Sequence, residues 1–259
     1  MFRTIRLRKK MLFWLAAVLL AAAALILLPG TGAVFPVSLS ADGGPTSEPS
    51  VPTDDKVVYL TFDDGPSKNT AEVLDVLAEK GVHATFFVIG AETERGLSLY
   101  QRILDEGHAL GLHTYSHRYN EIYASADAYL DDIAKLSAHL RDTVGIQPTI
   151  FRFPGGSNNA TASSEVLSEI KRRAAQMGLS WFDWNALGKD DHSWVSDPWD
   201  ICQNIINTAG DKKRIVVLMH DDGLRTTAAE AVALVIEHYR ELGYRFDVLT
   251  PETDPIRFS

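Results

Sequence analysis

The sequence predicts an α/β domain with a mainly parallel sheet, and three observations carry that expectation. Short apolar runs alternate with helical patterns along residues 56–250. Glycines close the helical patterns. Polar motifs follow the apolar runs at their carboxyl ends, where parallel α/β folds build their sites.

Strands are expected near Val57–Phe62, Thr85–Ile89, Ala109–Leu112, Thr149–Phe153, Ser180–Asn185, Ile215–Met219 and Phe246–Leu249. Between them, Val73, Leu74 and Leu77 share one helical face before Gly81, and Leu130, Ile133, Leu136 and Leu140 do so before Gly145. Leu167 and Ile170 lie in a helix that Gly178 ends. Ile201, Ile205 and Ile206 mark a further amphipathic helix, which buries the single cysteine, Cys202. One cysteine excludes an internal disulfide. Spacing alone leaves a (β/α) barrel and an open doubly wound sheet both available.

Chemistry-bearing residues begin at Thr61-Phe62-Asp63-Asp64-Gly65-Pro66. Two carboxylates emerge where a buried strand ends, and on an extended backbone Asp63 and Asp64 point in opposite directions. Gly65-Pro66 then turns the chain. An Asp-Asp-Gly-Pro turn that merely closes a strand is the bland alternative. Next comes His113-Thr114-Tyr115-Ser116-His117. At four residues' spacing the two imidazoles can share a face on a helical turn and bind one ion. With Asp64 they make a His-His-Asp set that leaves positions open, as a hydrolytic metal centre requires.

These two motifs are followed by Phe151-Arg152-Phe153-Pro154-Gly155-Gly156, Asp183-Trp184-Asn185 and Val217-Leu218-Met219-His220-Asp221. In that order, over about Lys56 to Thr250, the chain resembles the polysaccharide deacetylases of carbohydrate esterase family 4, with their NodB-like domain. The resemblance implies a distorted (β/α) barrel of seven strands. It also implies that Asp63 is the general base and that Asp64, His113 and His117 hold a divalent metal. Arg152 resembles the arginine that pairs with the base, and His220 the acid that protonates the departing amine. Leu218 resembles a wall of the acetyl pocket, alongside Pro154 and Trp184 at the substrate. A fourth-motif acid supports the histidine, with Asp183 and Asp190 both candidates. Two departures stand out: Gly155 replaces an aromatic residue common after the proline, and Asp190-Asp191 replaces a common Asp-Trp pair. Glycine keeps the backbone N–H for an oxyanion and alters subsite packing.

The inventory meets what amide hydrolysis demands. A divalent metal lowers the pKa of water to about 7 and polarises the carbonyl. A carboxylate base contributes about 10²–10⁴-fold, and a histidine held cationic suits the departing nitrogen. Zinc is the default ion, with Co, Ni, Mn and Fe suited to the same ligands. His83, His108, His139 and His238 fall in ordinary structural positions. His192, Trp194 and Trp199 lie in a polar segment fit either to meet sugar rings or to anchor a loop.

Organisation follows from the start of the chain. Residues 1–10 carry Arg3, Arg6, Arg8, Lys9 and Lys10, and residues 11–28 are uninterrupted and apolar. That length reaches the roughly 18 residues at which a membrane span is read, and exceeds the 7–15 of a typical secretory core. The basic cluster stays cytoplasmic, so the rest is expected outside as a single-pass membrane protein. The alternative is secretion after signal cleavage. Residues 29–55, rich in Gly, Pro, Ser and Thr, read as a flexible tether to a catalytic domain at 56–259.

The chain has 25 basic and 34 acidic residues. Without the five basic residues of the N-terminus and four tether acids, 20 face 30, so nucleic acid is excluded as a partner. The expected activity is N-deacetylation of an N-acetylhexosamine polymer, peptidoglycan first. Poly-N-acetylglucosamine, a chitin-like polymer or acetylxylan is the alternative substrate. A non-catalytic wall-binding domain needs neither base nor acid, and a metal-free phosphotransfer domain leaves the histidine pair without a purpose.

Overall fold

A computed structural model describes residues 56–192, 197–224 and 227–259. The expected membrane span, the tether and Trp194 lie outside the described residues. No helix among the described residues is long and apolar enough to cross a membrane.

Among the described residues, eight strands and seven α-helices alternate. The strands are β1 (Val57–Asp63), β2 (Thr85–Val88), β3 (Ala109–Leu112), β4 (Ile150–Phe151), β5 (Ser180–Trp181), β6 (Ala186–Leu187), β7 (Arg214–His220) and β8 (Arg245–Phe246). The helices are α1 (Lys68–Lys80), α2 (Glu94–Asp105), α3 (Tyr119–Ile122), α4 (Ala126–Val144), α5 (Ser164–Gln176), α6 (Pro198–Ala209) and α7 (Ala228–Glu241). Every ladder is parallel, in the order β5-β4-β3-β2-β1-β7-β6. β7 pairs with the whole of β1. On the other edge β2 takes Thr61 to Asp63 and β8 takes Val57 and Val58.

The expected strand at Ser180–Asn185 is a strand only at Ser180 and Trp181, and a second strand begins just beyond it. Ser180 and Trp181 pair with β4, Phe182 to Asn185 cross over, and Ala186 and Leu187 pair with β7. Among the described residues no ladder joins β5 to β6, so the sheet is a parallel half-barrel, as the distorted barrel of the resemblance implies, with eight strands where seven were expected. Two-residue strands are too short to bridge both neighbours, which leaves the ring open at that crossover.

Strand alternation explains how a buried strand can carry a site. On β1, Val58, Leu60 and Phe62 pack into the main core with the helices. The opposite face carries Val57 and Tyr59 in a smaller inner cluster, then Thr61 and Asp63. The inner face therefore changes from apolar to polar toward its carboxyl end. β7 does the same: Ile215, Val217 and Met219 join the main core, while Val216, Leu218 and His220 face inward. The register sets Thr61 beside Leu218 and Asp63 beside His220.

Helix ends are specified locally. Ser67, Thr93, Ser125, Ser163 and Asp197 cap α1, α2, α4, α5 and α6, each accepting a hydrogen bond from the first turn. Such a cap contributes about 1 kcal/mol. Gly81 and Gly145 end α1 and α4 in the left-handed region, as expected from the sequence.

Candidate active site

Asp63 ends β1, buried, and its Oδ1 accepts a 2.9 Å hydrogen bond from Arg152 Nη1. The guanidinium is fully buried, yet each side of it is engaged. Nη1 also donates to Thr61 Oγ1 at 2.6 Å, Nε to the Phe182 carbonyl at 2.9 Å, and Nη2 to the Asp183 carbonyl at 3.3 Å. Its flat face lies over the Phe87 ring, 4.3 Å from the centroid. A buried charge needs this complete a set of partners. Oδ2 of Asp63 is left facing His113 Nε2, 3.7 Å away.

Asp64 does not continue the strand. Its φ is +75°, so it turns out of β1, and this turn rather than strand alternation separates the two carboxylates. Its Oδ1 lies 3.0 Å from His117 Nε2 and 3.4 Å from His113 Nε2. The ligand atoms of Asp64, His113 and His117 all fall within 4.8 Å of one another. The histidines are not on a helical turn. They sit in the loop between β3 and α3, where Thr114 at φ +68° and His117 at +53° fold the chain back. Asp132 of α4 holds that loop by accepting the backbone N–H of Tyr115 and, at 3.0 Å, that of Ser116.

The donor set fits a divalent cation. His113 Nδ1 lies 2.9 Å from the Arg152 carbonyl, which can only accept, so Nδ1 carries the proton and Nε2 the lone pair. Burial pushes the His113 imidazole below its ordinary value despite the carboxylates beside it, which keeps it neutral. Burial works against charge on Asp64, but the close His117 contact and the neighbouring imidazoles outweigh it and hold the carboxyl low. Asp64 Oδ1 is buried without a well-formed hydrogen bond. Acceptor atoms converging in this way repel one another unless a cation lies between them.

Opposite Asp63 in the register stands His220. Asp190, in the short 3-10 turn Asp190–His192, contacts it twice: Oδ1 lies 2.9 Å from Nδ1, and Oδ2 accepts the backbone N–H at 2.8 Å. Burial alone would lower this imidazole. The Asp190 hydrogen bond and charge, joined by Asp63 and Asp64, reverse that and raise it to about 9.

Asp183 has a different place. Fully buried, it accepts Ser157 N–H at 2.9 Å, Ser157 Oγ–H at 2.6 Å and Phe258 N–H at 2.8 Å. Both oxygens are committed to tying the 154–157 loop to the C-terminal tail, and no bond to His220 is left to make. The catalytic expectation for Asp183 is therefore corrected to a clamp. Trp184 is half-buried, its ring edge-on to Phe258 at 4.9 Å and 5.7 Å from the Arg152 guanidinium.

Pro154 is buried, and its carbonyl accepts the Tyr123 hydroxyl at 2.7 Å. Gly155 is exposed at φ +76°, and its N–H donates to no group among the described residues. Leu218 lines the inner face two residues before His220. Three contributors were not read from sequence: Thr61, Asp132 and Asp221. Asp132 had a signal, since it falls between Tyr129 and Leu136 on the buried stripe of α4, where a carboxylate needs a reason. Asp221 is fully buried, and its N–H donates to the Asp63 carbonyl at 3.0 Å, closing β7 onto β1. Burial raises its carboxyl to about 7.

A strand-end carboxylate on a buried arginine, beside a candidate metal triad and a carboxylate-supported histidine, is the equipment of a hydrolase built on a parallel half-barrel. Comparison with known proteins agrees. The polysaccharide deacetylase family model matches residues 50–175. A peptidoglycan-N-acetylglucosamine deacetylase of Bacillus cereus is 31% identical over 209 residues, covering 78% of this chain and 73% of the relative. The peptidoglycan-N-acetylmuramic acid deacetylase PdaC of Bacillus subtilis is 31% identical, with 76% of this chain and 39% of the relative covered. In structure, the catalytic domain of a peptidoglycan N-acetylglucosamine deacetylase from Eubacterium rectale superposes with a TM-score of 0.74 at 31% identity, covering 83% and 97%. This chain belongs to the polysaccharide deacetylases of carbohydrate esterase family 4, and it is a hydrolase.

Proposed function

We propose that this protein is a metal-dependent N-deacetylase of peptidoglycan, held outside the cell membrane by residues 11–28. The observation that carries the reading is the convergence of Asp64, His113 and His117 between the Asp63–Arg152 pair and the Asp190–His220 pair. Binding alone has no use for a positioned base and a positioned acid.

Asp64, His113 and His117 would hold one divalent ion, zinc by default, whose chemistry there would be to polarise the acyl oxygen and ease ionisation of an attacking water. Asp63 receives that water's proton on Oδ2, because Arg152 occupies Oδ1. The Gly155 N–H and the inner wall at Leu218 face the acetyl group, and the N–H donates to its oxygen as charge develops. His220 carries its Nδ1 proton toward Asp190, which leaves Nε2–H as the acid. As the C–N bond breaks, Nε2 delivers its proton to the amine and acetate departs. A histidine raised to about 9 is charged at neutral pH, as this role requires.

Peptidoglycan is favoured because both named relatives act on it and because a short tether from the membrane faces the wall. Those two relatives attack different sugars, so N-acetylglucosamine and N-acetylmuramic acid are both within the class.

The test is acetate release by the purified full-length chain from peptidoglycan and from chitin oligomers, with and without chelator, beside Asp63→Asn. Release that chelator abolishes, that zinc restores and that the variant lacks supports the reading. Release that survives complete removal of metal overturns it.

A further inference from the structure

The rim beside the ligand cluster is built without a side chain at position 155. A Cβ on Gly155 would lie 3.2 Å from Tyr119 Cε1 and 3.3 Å from its hydroxyl oxygen, and φ of +76° already disfavours one. Tyr119 opens α3, two residues beyond His117. Its ring stands edge-on to the His117 imidazole, 5.3 Å between centroids at 89°, and packs 5.9 Å from the Tyr123 ring. Tyr123 is itself pinned to the Pro154 carbonyl. The ring is thus fixed by His117, Tyr123 and the 155 backbone, while the side chain stays half-buried.

The hydroxyl has no hydrogen-bond partner among the described residues, so it is open to a ligand or to water. A phenol O–H beside the His117 imidazole is available to donate to a ligand. At this rim the glycine leaves its N–H open, and the Tyr119 ring at the start of α3 lies against the same position.

We propose that Tyr119 is a substrate-positioning residue, whose ring walls the sugar beside the metal cluster and whose hydroxyl donates to a sugar oxygen above Gly155. The inference deepens the deacetylase reading and rests on it.

Steady-state kinetics of the full-length chain test it, with Tyr119→Phe and Tyr119→Ala on an N-acetylglucosamine oligomer and on 4-nitrophenyl acetate, which has no sugar. Zinc content is measured for each protein. The phenylalanine variant is expected to raise KM for the oligomer about fivefold, the scale of one hydrogen bond exchanged with water, while kcat changes less. The alanine variant is expected to lower the oligomer-to-ester ratio of kcat/KM by about tenfold or more. Loss of folded or metal-loaded protein scales both substrates and leaves that ratio alone. A ratio within about twofold of the parent in both variants overturns the inference, as does loss of zinc with the ratio preserved, which would make Tyr119 a prop for His117. A parent protein that binds zinc yet releases no acetate from either peptidoglycan or the oligomer takes down the deacetylase reading, and this inference with it.

Discussion

Asp190 grips His220 with both carboxylate oxygens, one on the ring Nδ1 at 2.9 Å and one on the backbone N–H at 2.8 Å. The first contact sets the charge of the ring and the second sets where it points. The two effects separate in Asp190→Asn, which keeps the shape and one hydrogen bond but removes the charge. The alkaline limb of kcat is expected near 9 in the parent and closer to the ordinary 6.5 in the variant. The sign for stability follows: a raised folded-state pKa stabilises fully below 6.5 and is lost as pH rises through about 9. Denaturant unfolding should therefore show the parent's advantage over Asp190→Asn shrinking between pH 6.5 and 9. A limb at the same pH in both proteins would remove His220 as the acid.

Asp63 and Arg152 are coupled in another way, because the guanidinium is fully buried. Asp63→Asn keeps an acceptor for Nη1, so the fold should persist while kcat falls by about 10²–10⁴-fold. Arg152→Met strands the carboxylate and three acceptors, at a cost of about 3–5 kcal/mol. Urea unfolding and acetate release together distinguish them: activity lost with little change in stability for the first, and both lost for the second.

Much of this was legible in sequence because alternation and motif order are local properties. β3 was read residue for residue, and β1 and β7 to within one residue at each end. The capping glycines of α1 and α4 followed from apolar spacing. What was not legible depended on backbone torsion or on distant partners. Nothing local announces that Thr114 and His117 adopt positive φ, so a loop was read as a helical turn. Ser180–Asn185 was read as one strand because nothing local marks a break, whereas its pairing with β4 ends at Trp181 and pairing with β7 begins at Ala186. The choice between Asp183 and Asp190 needed Ser157 and Phe258, which lie far along the chain.

Metal binding should stabilise the folded chain. For one site at a hundredfold excess over Kd the gain is about 2.7 kcal/mol. In a domain of this size that raises Tm by about 5–10 °C. Thermal melts with and without zinc after chelation measure the shift, and His117→Ala should abolish it. A parent whose Tm ignores zinc, nickel, cobalt and manganese alike would count against the Asp64, His113 and His117 site.

Asp132 and Asp183 both accept two or more backbone or hydroxyl hydrogens, yet they hold different loops, so their variants should fail differently. Asp132 anchors Tyr115 and Ser116, the residues that carry His117 back toward Asp64. Without it the loop loses two charge-assisted bonds, each about 1.5–3 kcal/mol in scale, close to a ligand. Asp132→Ala should therefore weaken zinc affinity about tenfold or more, the scale of losing a group that orients a ligand. Asp183 anchors Ser157 and Phe258 beneath Arg152, remote from the ligand atoms. Asp183→Ala leaves three buried donors unpaired and should lower Tm well below the parent while zinc stoichiometry stays at one. Competition against a chelating dye gives the affinities, and melts of the zinc-loaded proteins give the stabilities. If Asp183→Ala lost zinc and Asp132→Ala did not, the assignment of the two clamps would be reversed.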